Sequence, residues 1–243
     1  MPLHIGIVGC SAEGAALCYR TVCLEGSERL GAYGHPEVSM HTHSLAEYLP
    51  HIARNDWAAV GQLMLSSARK LASAGAEFLI CPDNTIHQAM PKVAPQSPLP
   101  WLHIAEVVAD QAVERGVRRL ALTGTRSLVE SDVYPRALGA RGLECVTPDA
   151  DERRAIDRII HEELVNGLFT SDAVMCFQRI IERMKGEGCD AVVLGCTEIP
   201  LVMNDANSPL PTLDSTRLLA RAALRRATQP GPEAQSPEPR CRA

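Results

Sequence analysis

Short apolar runs that close on a glycine, each followed by a stretch with helical spacing, recur along this chain. HIGIVGC (4–10) and RLALTGT (119–125) both read as buried strands entering a turn, ending at Gly9 and Gly124. Residues Ala58 to Ala74 place apolar side chains at Val60, Leu63, Met64 and Leu71, and Ala173 to Lys185 place them at Val174, Phe177, Ile180, Ile181 and Met184. That is the spacing of an amphipathic helix. Each pattern stops at a glycine, Gly75 and Gly188, where a left-handed residue satisfies the last helical carbonyls without a Cβ penalty. Apolar strands follow at once. Alternating strands and helices predict an α/β protein with parallel sheets covered on both faces.

The same blocks also match one another in order, at a nearly constant spacing. The first pair is HIGIVGC and RLALTGT; the second is GAEFLICPDNT (75–85) and GCDAVVLGCTE (188–198), which sets Asp83 opposite Cys196. The third is SPLPWL (97–102) and SPLPTL (208–213), which differ only at Trp101 and Thr212. Internal similarity at a long offset means two copies of one structural unit. The expected fold is therefore two pseudo-symmetric, doubly wound parallel-sheet lobes, residues 1–102 and 103–213, facing each other across a cleft. In such sheets ligands bind beyond the carboxyl ends of the strands, where helix N-termini offer free amides. Ser11, Asp83, Asn84 and Thr85 would line the cleft from one side, and Thr125, Cys196, Thr197 and Glu198 from the other. Residues 229–243 carry prolines and mixed charges without apolar periodicity, and read as a disordered, dispensable tail.

Composition narrows the function classes. Of 243 residues, 46% are hydrophobic and 22% charged, which suits a soluble globular enzyme. Aromatics make up only 4% and the net charge is -5, so neither base stacking nor phosphate neutralisation is favoured, and no nucleic-acid partner is expected. No apolar run approaches the roughly 20 residues that span a bilayer, so no membrane partner is expected either. The nine cysteines are odd in number and lack C-x-x-C spacing, which fits a reducing cytoplasm and makes most of them core filler. His35, His41 and His43 do not have the spacing of a structural zinc site, so no metal is assigned.

LGCTEIPL (194–201) followed by PTLDSTRLLARAAL (211–224) resembles the C-terminal motif of aspartate/glutamate racemases. The resemblance covers nearly the whole chain, taking in IGIVG (5–9), DNTIH (83–87), TGTRSL (123–128) and the acidic helical stretch at 148–169. It implies two doubly wound lobes, a last helix (214–228) that crosses back to the N-terminal lobe, and a homodimer. It also implies a racemase or epimerase that needs no pyridoxal phosphate or other cofactor and acts on an amino acid or related α-substituted acid. One acid/base residue from each lobe would face the α-carbon, here Cys196 and Asp83. A thiol suits this work because its ordinary pKa, about 8.5, lies nearer neutrality than a carboxylate's, about 4.

Asp83 departs from the family pattern, which places a cysteine or sometimes a threonine immediately before Asn-Thr. A carboxylate is the weaker base unless burial raises its pKa, and the plain alternative is a turn or N-cap residue. Leu128 stands where similar enzymes carry a second threonine, and no arginine lies beside HSLAEYLP (43–50) to grip a distal carboxylate. Arg54 and Arg126 are the substitute guanidiniums. Asn84, Thr85 and Thr197 would bind the α-carboxylate and stabilise the enolate-like state. Glu198 has three candidate roles: orienting the thiol, binding an amino group, or capping the next segment. His87 and His103 read as structural. Two other readings remain on the same fold: a one-thiol decarboxylase or cis-trans isomerase, and a catalytically silent small-molecule binder.

Overall fold

The computed structural model describes residues 1–229; most of the predicted tail, 230–243, lies outside them. The first half runs β1 (Ile5–Gly9), α1 (Ala12–Leu30), β2 (Val38–Thr42), α2 (Leu45–Ala53), α3 (Trp57–Ser73), β3 (Phe78–Ile80), α4 (Met90–Val93) and β4 (Trp101–Leu102). The second runs α5 (Ile104–Glu114), β5 (Arg119–Thr123), α6 (Arg126–Val129), α7 (Val133–Gly139), β6 (Glu144–Val146), α8 (Ala150–Arg158), α9 (Ser171–Gly186), β7 (Ala191–Leu194) and β8 (Thr212–Asp214). A last helix, α10 (Ser215–Thr228), closes the chain.

The strands form two 4-stranded sheets, ordered β2-β1-β3-β4 and β6-β5-β7-β8, and every pairing is parallel. The two orders are the same walk repeated, as the matched sequence blocks require. Apolar side chains alternate across each sheet. In the first, Val8 and Leu79 meet Val60, Met64 and Leu71 of α3, while Ile5, Ile7, Phe78 and Ile80 meet Cys18 and Val22 of α1. In the second, Val192 and Leu194 meet Phe177, Ile180 and Met184 of α9, while Leu120, Leu122 and Val193 meet Val108 of α5 and Leu138 of α7.

Helix α10 follows the last strand of the second sheet, yet its Leu219, Ala220 and Ala223 pack into the first lobe's core with Ile7 and Phe78. The crossing ties the lobes together, and Arg221 adds an ion pair to Glu25 of α1 at 2.8 Å. The predicted helix ends are present: Gly75 and Gly188 follow the ends of α3 and α9 with φ of +94° and +90°. Among the described residues, no helix is long and apolar enough to cross a membrane.

Candidate active site

Strand register sets the floor of the cleft. Ile7 pairs with Ile80 and Thr123 with Leu194, so the chain leaving each inner strand pair places Cys10 beside Asp83 in one lobe and Thr125 beside Cys196 in the other. The strand ends face a cavity of about 630 Å³. All eight residues expected at the site line it: Ser11, Asp83, Asn84 and Thr85 from the first lobe, and Thr125, Cys196, Thr197 and Glu198 from the second.

Two hydroxyl pairs bridge the lobes. Ser11 Oγ lies 3.4 Å from Thr197 Oγ1, and Thr85 Oγ1 lies 3.0 Å from Thr125 Oγ1. Ser11 caps α1 by accepting from the Gly14 amide, and Thr125 caps α6 by accepting from Leu128. The approach at Gly14 is close, because a Cβ there would sit 2.5 Å from Thr197 Cγ2. A side chain at position 14 would displace Thr197 or Ser11 at the cleft floor.

On the second lobe, the Cys196 thiol donates to Glu198 Oε2 at 2.9 Å, and the Thr197 hydroxyl donates to the same oxygen at 2.7 Å. Glu198 makes no capping bond to the turn that follows. The contact with the Cys196 thiol is the geometry that an orienting role requires. Burial, followed by the Glu198 charge, pushes the Cys196 thiol well above the ordinary range, so it keeps its proton at neutral pH.

On the first lobe, burial and the Glu198 charge raise Asp83 from 3.8 to about 6, while the Cys10 thiol and the amides of Ile86 and Thr85 pull it back. Asp83 precedes Asn84, the N-cap position of the 3₁₀ turn Thr85–Ala89, which has no side-chain capping bond, and Asp83 lines the cavity. The pair at the cleft floor thus has a carboxylate that titrates near neutrality and a thiol that holds its proton.

The Asn84 side chain has two partners within the protein. Its Nδ2 donates to Ser215 Oγ at 3.0 Å, and its Oδ1 accepts from the Tyr134 hydroxyl at 2.7 Å. The side chain is buried and both ends of its amide are engaged, so Asn84 braces the Asp83–Thr85 turn against the starts of α7 and α10 while it also lines the cavity. His87 is buried with Nε2 3.0 Å from the Cys81 carbonyl and its ring edge-on to His103; neither histidine lines the cavity.

The cavity wall adds residues that the sequence patterns did not single out. Leu45, Leu49, Ile52 and Ala53 of α2 face it from one lobe, and Ile160 and Val165 from the other. Ile160 and His161 belong to a π-helical turn, Ile159–Glu163, that continues α8, a distortion that recurs at functional sites. Of the two substitute guanidiniums only Arg126 lines the cavity, and its Nε donates to Glu130 at 3.0 Å; Arg54 instead contacts His51. Cys10, also in the wall, is the position that the sequence repeat sets opposite Thr125.

Known proteins agree with this architecture. A structure of a proposed Asp/Glu racemase from Yersinia pestis superposes with a TM-score of 0.86 at 31% identity, covering 93% of this chain and 100% of that one. An aspartate racemase homologue from Pyrococcus horikoshii gives 0.82 at 28% identity, covering 94% of this chain and 100% of that one. Among curated relatives, the broad specificity amino-acid racemase RacX of Bacillus subtilis is 23% identical over 161 residues, 66% of this chain and 69% of that protein. The match to glutamate racemase of Thermus thermophilus, 27% identical, spans 64% of this chain and 57% of that enzyme. Residues 7–223 match the Asp/Glu/Hydantoin racemase family, and this chain belongs to that family.

Proposed function

We propose that the protein is a cofactor-independent amino-acid racemase or epimerase in which Asp83 and Cys196 exchange protons with opposite faces of the substrate's α-carbon. The observation that carries this reading is that two equivalent strand ends, one from each lobe, bring a carboxylate and a thiol to one cavity. Above about pH 6 the resting enzyme holds ionised Asp83 and protonated Cys196. Asp83 removes the α-proton of the enantiomer that turns it toward the first lobe, and the thiol delivers a proton from the second. The reverse direction starts from the opposite protonation state, left behind when the product departs. The hydroxyls of Ser11, Thr85, Thr125 and Thr197, which meet in pairs across the cleft, would bind the α-carboxylate and the developing enolate charge, which grows as the proton leaves.

The wall favours a side chain without a second carboxylate. Asp83, Glu130, Asp157 and Glu198 all line the cavity, whereas its one guanidinium, Arg126, is paired to Glu130. An anionic side chain would meet this excess of negative charge, while an aliphatic one would bury against Leu49, Ile52 and Ile160.

The test is incubation in D2O with each enantiomer of a panel of aliphatic, aromatic, basic and acidic amino acids, following α-deuteration and optical rotation. Exchange with inversion is expected, strongest for uncharged side chains. Replacement of Cys196 by Ala is expected to stop proton delivery from one face. Exchange with retained configuration would refute two-sided proton transfer, and a preference for aspartate would refute the reading of the wall.

A further inference from the structure

Glu198 is a buried carboxylate with two side-chain donors on one oxygen. The Cys196 thiol and the Thr197 hydroxyl both reach Oε2, and none of the ion pairs among the described residues includes Glu198. A carboxylate only 5% exposed and without a cation depends on its hydrogen-bond donors to stay ionised. A thiol is a weak donor, so the hydroxyl carries more of that task. The first lobe limits where this hydroxyl can point. Thr197 is buried, its Oγ1 lies 3.4 Å from Ser11 Oγ, and its methyl lies so near Gly14 of α1 that a Cβ there would sit 2.5 Å from Thr197 Cγ2. A β-branched side chain packed in this way has little rotamer freedom. Asn84, its counterpart in the sequence repeat, bonds instead to Tyr134 and Ser215.

From these contacts we infer that Thr197 is a positioning residue for the Cys196 thiol: its hydroxyl, set against α1 of the first lobe, holds Glu198 as a hydrogen-bonded anion and so keeps the thiol's proton on sulfur. The inference rests on the proton delivery proposed for Cys196, which requires a protonated thiol in the resting site. Transfer of the proton from Sγ to Glu198 Oε2 would break the S–H bond, form an O–H bond, and leave a thiolate beside a neutral carboxylic acid. The Thr197 hydroxyl opposes that transfer, because it binds the carboxylate anion more strongly than the acid. Without the hydroxyl the balance moves toward the thiolate.

The experiment follows alkylation of Cys196 by iodoacetamide at neutral pH, read on its peptide by mass spectrometry, because the thiolate is the reacting form. Thr197→Val, which keeps the shape and removes the hydroxyl, is expected to react about tenfold faster than the native protein, the change that one pKa unit in the Glu198 carboxylate produces. Thr197→Ser, which keeps the hydroxyl, is expected to react at the native rate. In a Glu198→Gln background, which has no carboxylate to take the proton, adding Thr197→Val is expected to leave the rate unchanged. An unaltered or slower rate in Thr197→Val alone overturns the inference. So does an equal acceleration in the Glu198→Gln background, which would mean that valine merely opens the site to reagent, and so does a serine variant as fast as the valine one. Should the valine variant fail to fold, Thr197→Ala, which also lacks the hydroxyl, carries the same expectations. If these are met while native protein exchanges the α-proton of no amino acid, the coupling of Thr197 to Cys196 through Glu198 stands and the racemase reading falls.

Discussion

Replacing Asp83 by Asn is expected to make the protein more resistant to unfolding at alkaline pH than at acid pH, relative to the native chain. Folded Asp83 titrates near 6 against an ordinary value of 3.8, so between these values the folded protein holds a proton that the unfolded chain releases. Stability contributed by this group is complete below 3.8 and falls as pH rises, until Asp83 is ionised in both states above about 6. The full loss corresponds to about 3 kcal/mol, an upper end because the carboxyl is open to the cavity on one side. Between about pH 4.5 and about pH 8 the native chain loses roughly 2 kcal/mol of this, whereas the asparagine variant loses none. Any pH-independent cost of the substitution acts at both pH values and cancels in the comparison. Thermal melting of both proteins at the two pH values reads the difference as about 4–8 °C in the relative midpoints, for a chain of this size. If Asp83→Asn shifts the midpoint equally at both pH values, Asp83 ionises in the folded protein as it does in the unfolded chain. The burial that qualifies it as a base near neutrality would then be absent.

Two further outcomes test the surrounding groups. Tyr134→Phe leaves the buried Asn84 Oδ1 without its donor, so it should cost about 1–3 kcal/mol by denaturant titration and slow α-proton exchange by loosening the Asp83–Thr85 turn; unchanged stability would show that Asn84 is free to turn toward ligand. Alkylation of Cys196 by iodoacetamide, followed on its peptide by mass spectrometry, should be slow at neutral pH and begin at lower pH in Glu198→Gln. An unmoved onset would mean that the Glu198 charge is not among the causes of the raised thiol.

Much of this architecture was legible before any coordinates because its signals are local. A strand such as IGIVG announces itself by its own apolar run, and α3 and α9 by their own spacing and terminal glycines. Because the halves repeat, Asp83 could be set opposite Cys196 and the cleft residues named, and all of them line the cavity. The resemblance gave the crossing of α10, which no local pattern would have indicated.

Only the tertiary structure decided what each polar group faces. The Asn84 amide is engaged by Tyr134 and Ser215, which lie 50 and 131 positions away in the chain, so its sequence context as a turn residue said nothing of its partners. Cys10 meets Asp83 through the register of β1 with β3, and α2 supplies a cavity wall by folding back over β2's end. The physical reason is one of range. Backbone hydrogen bonding and apolar periodicity act over a few residues and can be read along the chain, whereas burial, charge proximity and donor geometry depend on which distant segments meet. The proton affinities of Asp83 and Cys196 belong to this second kind: a carboxylate and a thiol with ordinary sequence neighbours have their pKa values raised by burial and by the Glu198 charge, which only the tertiary structure supplies.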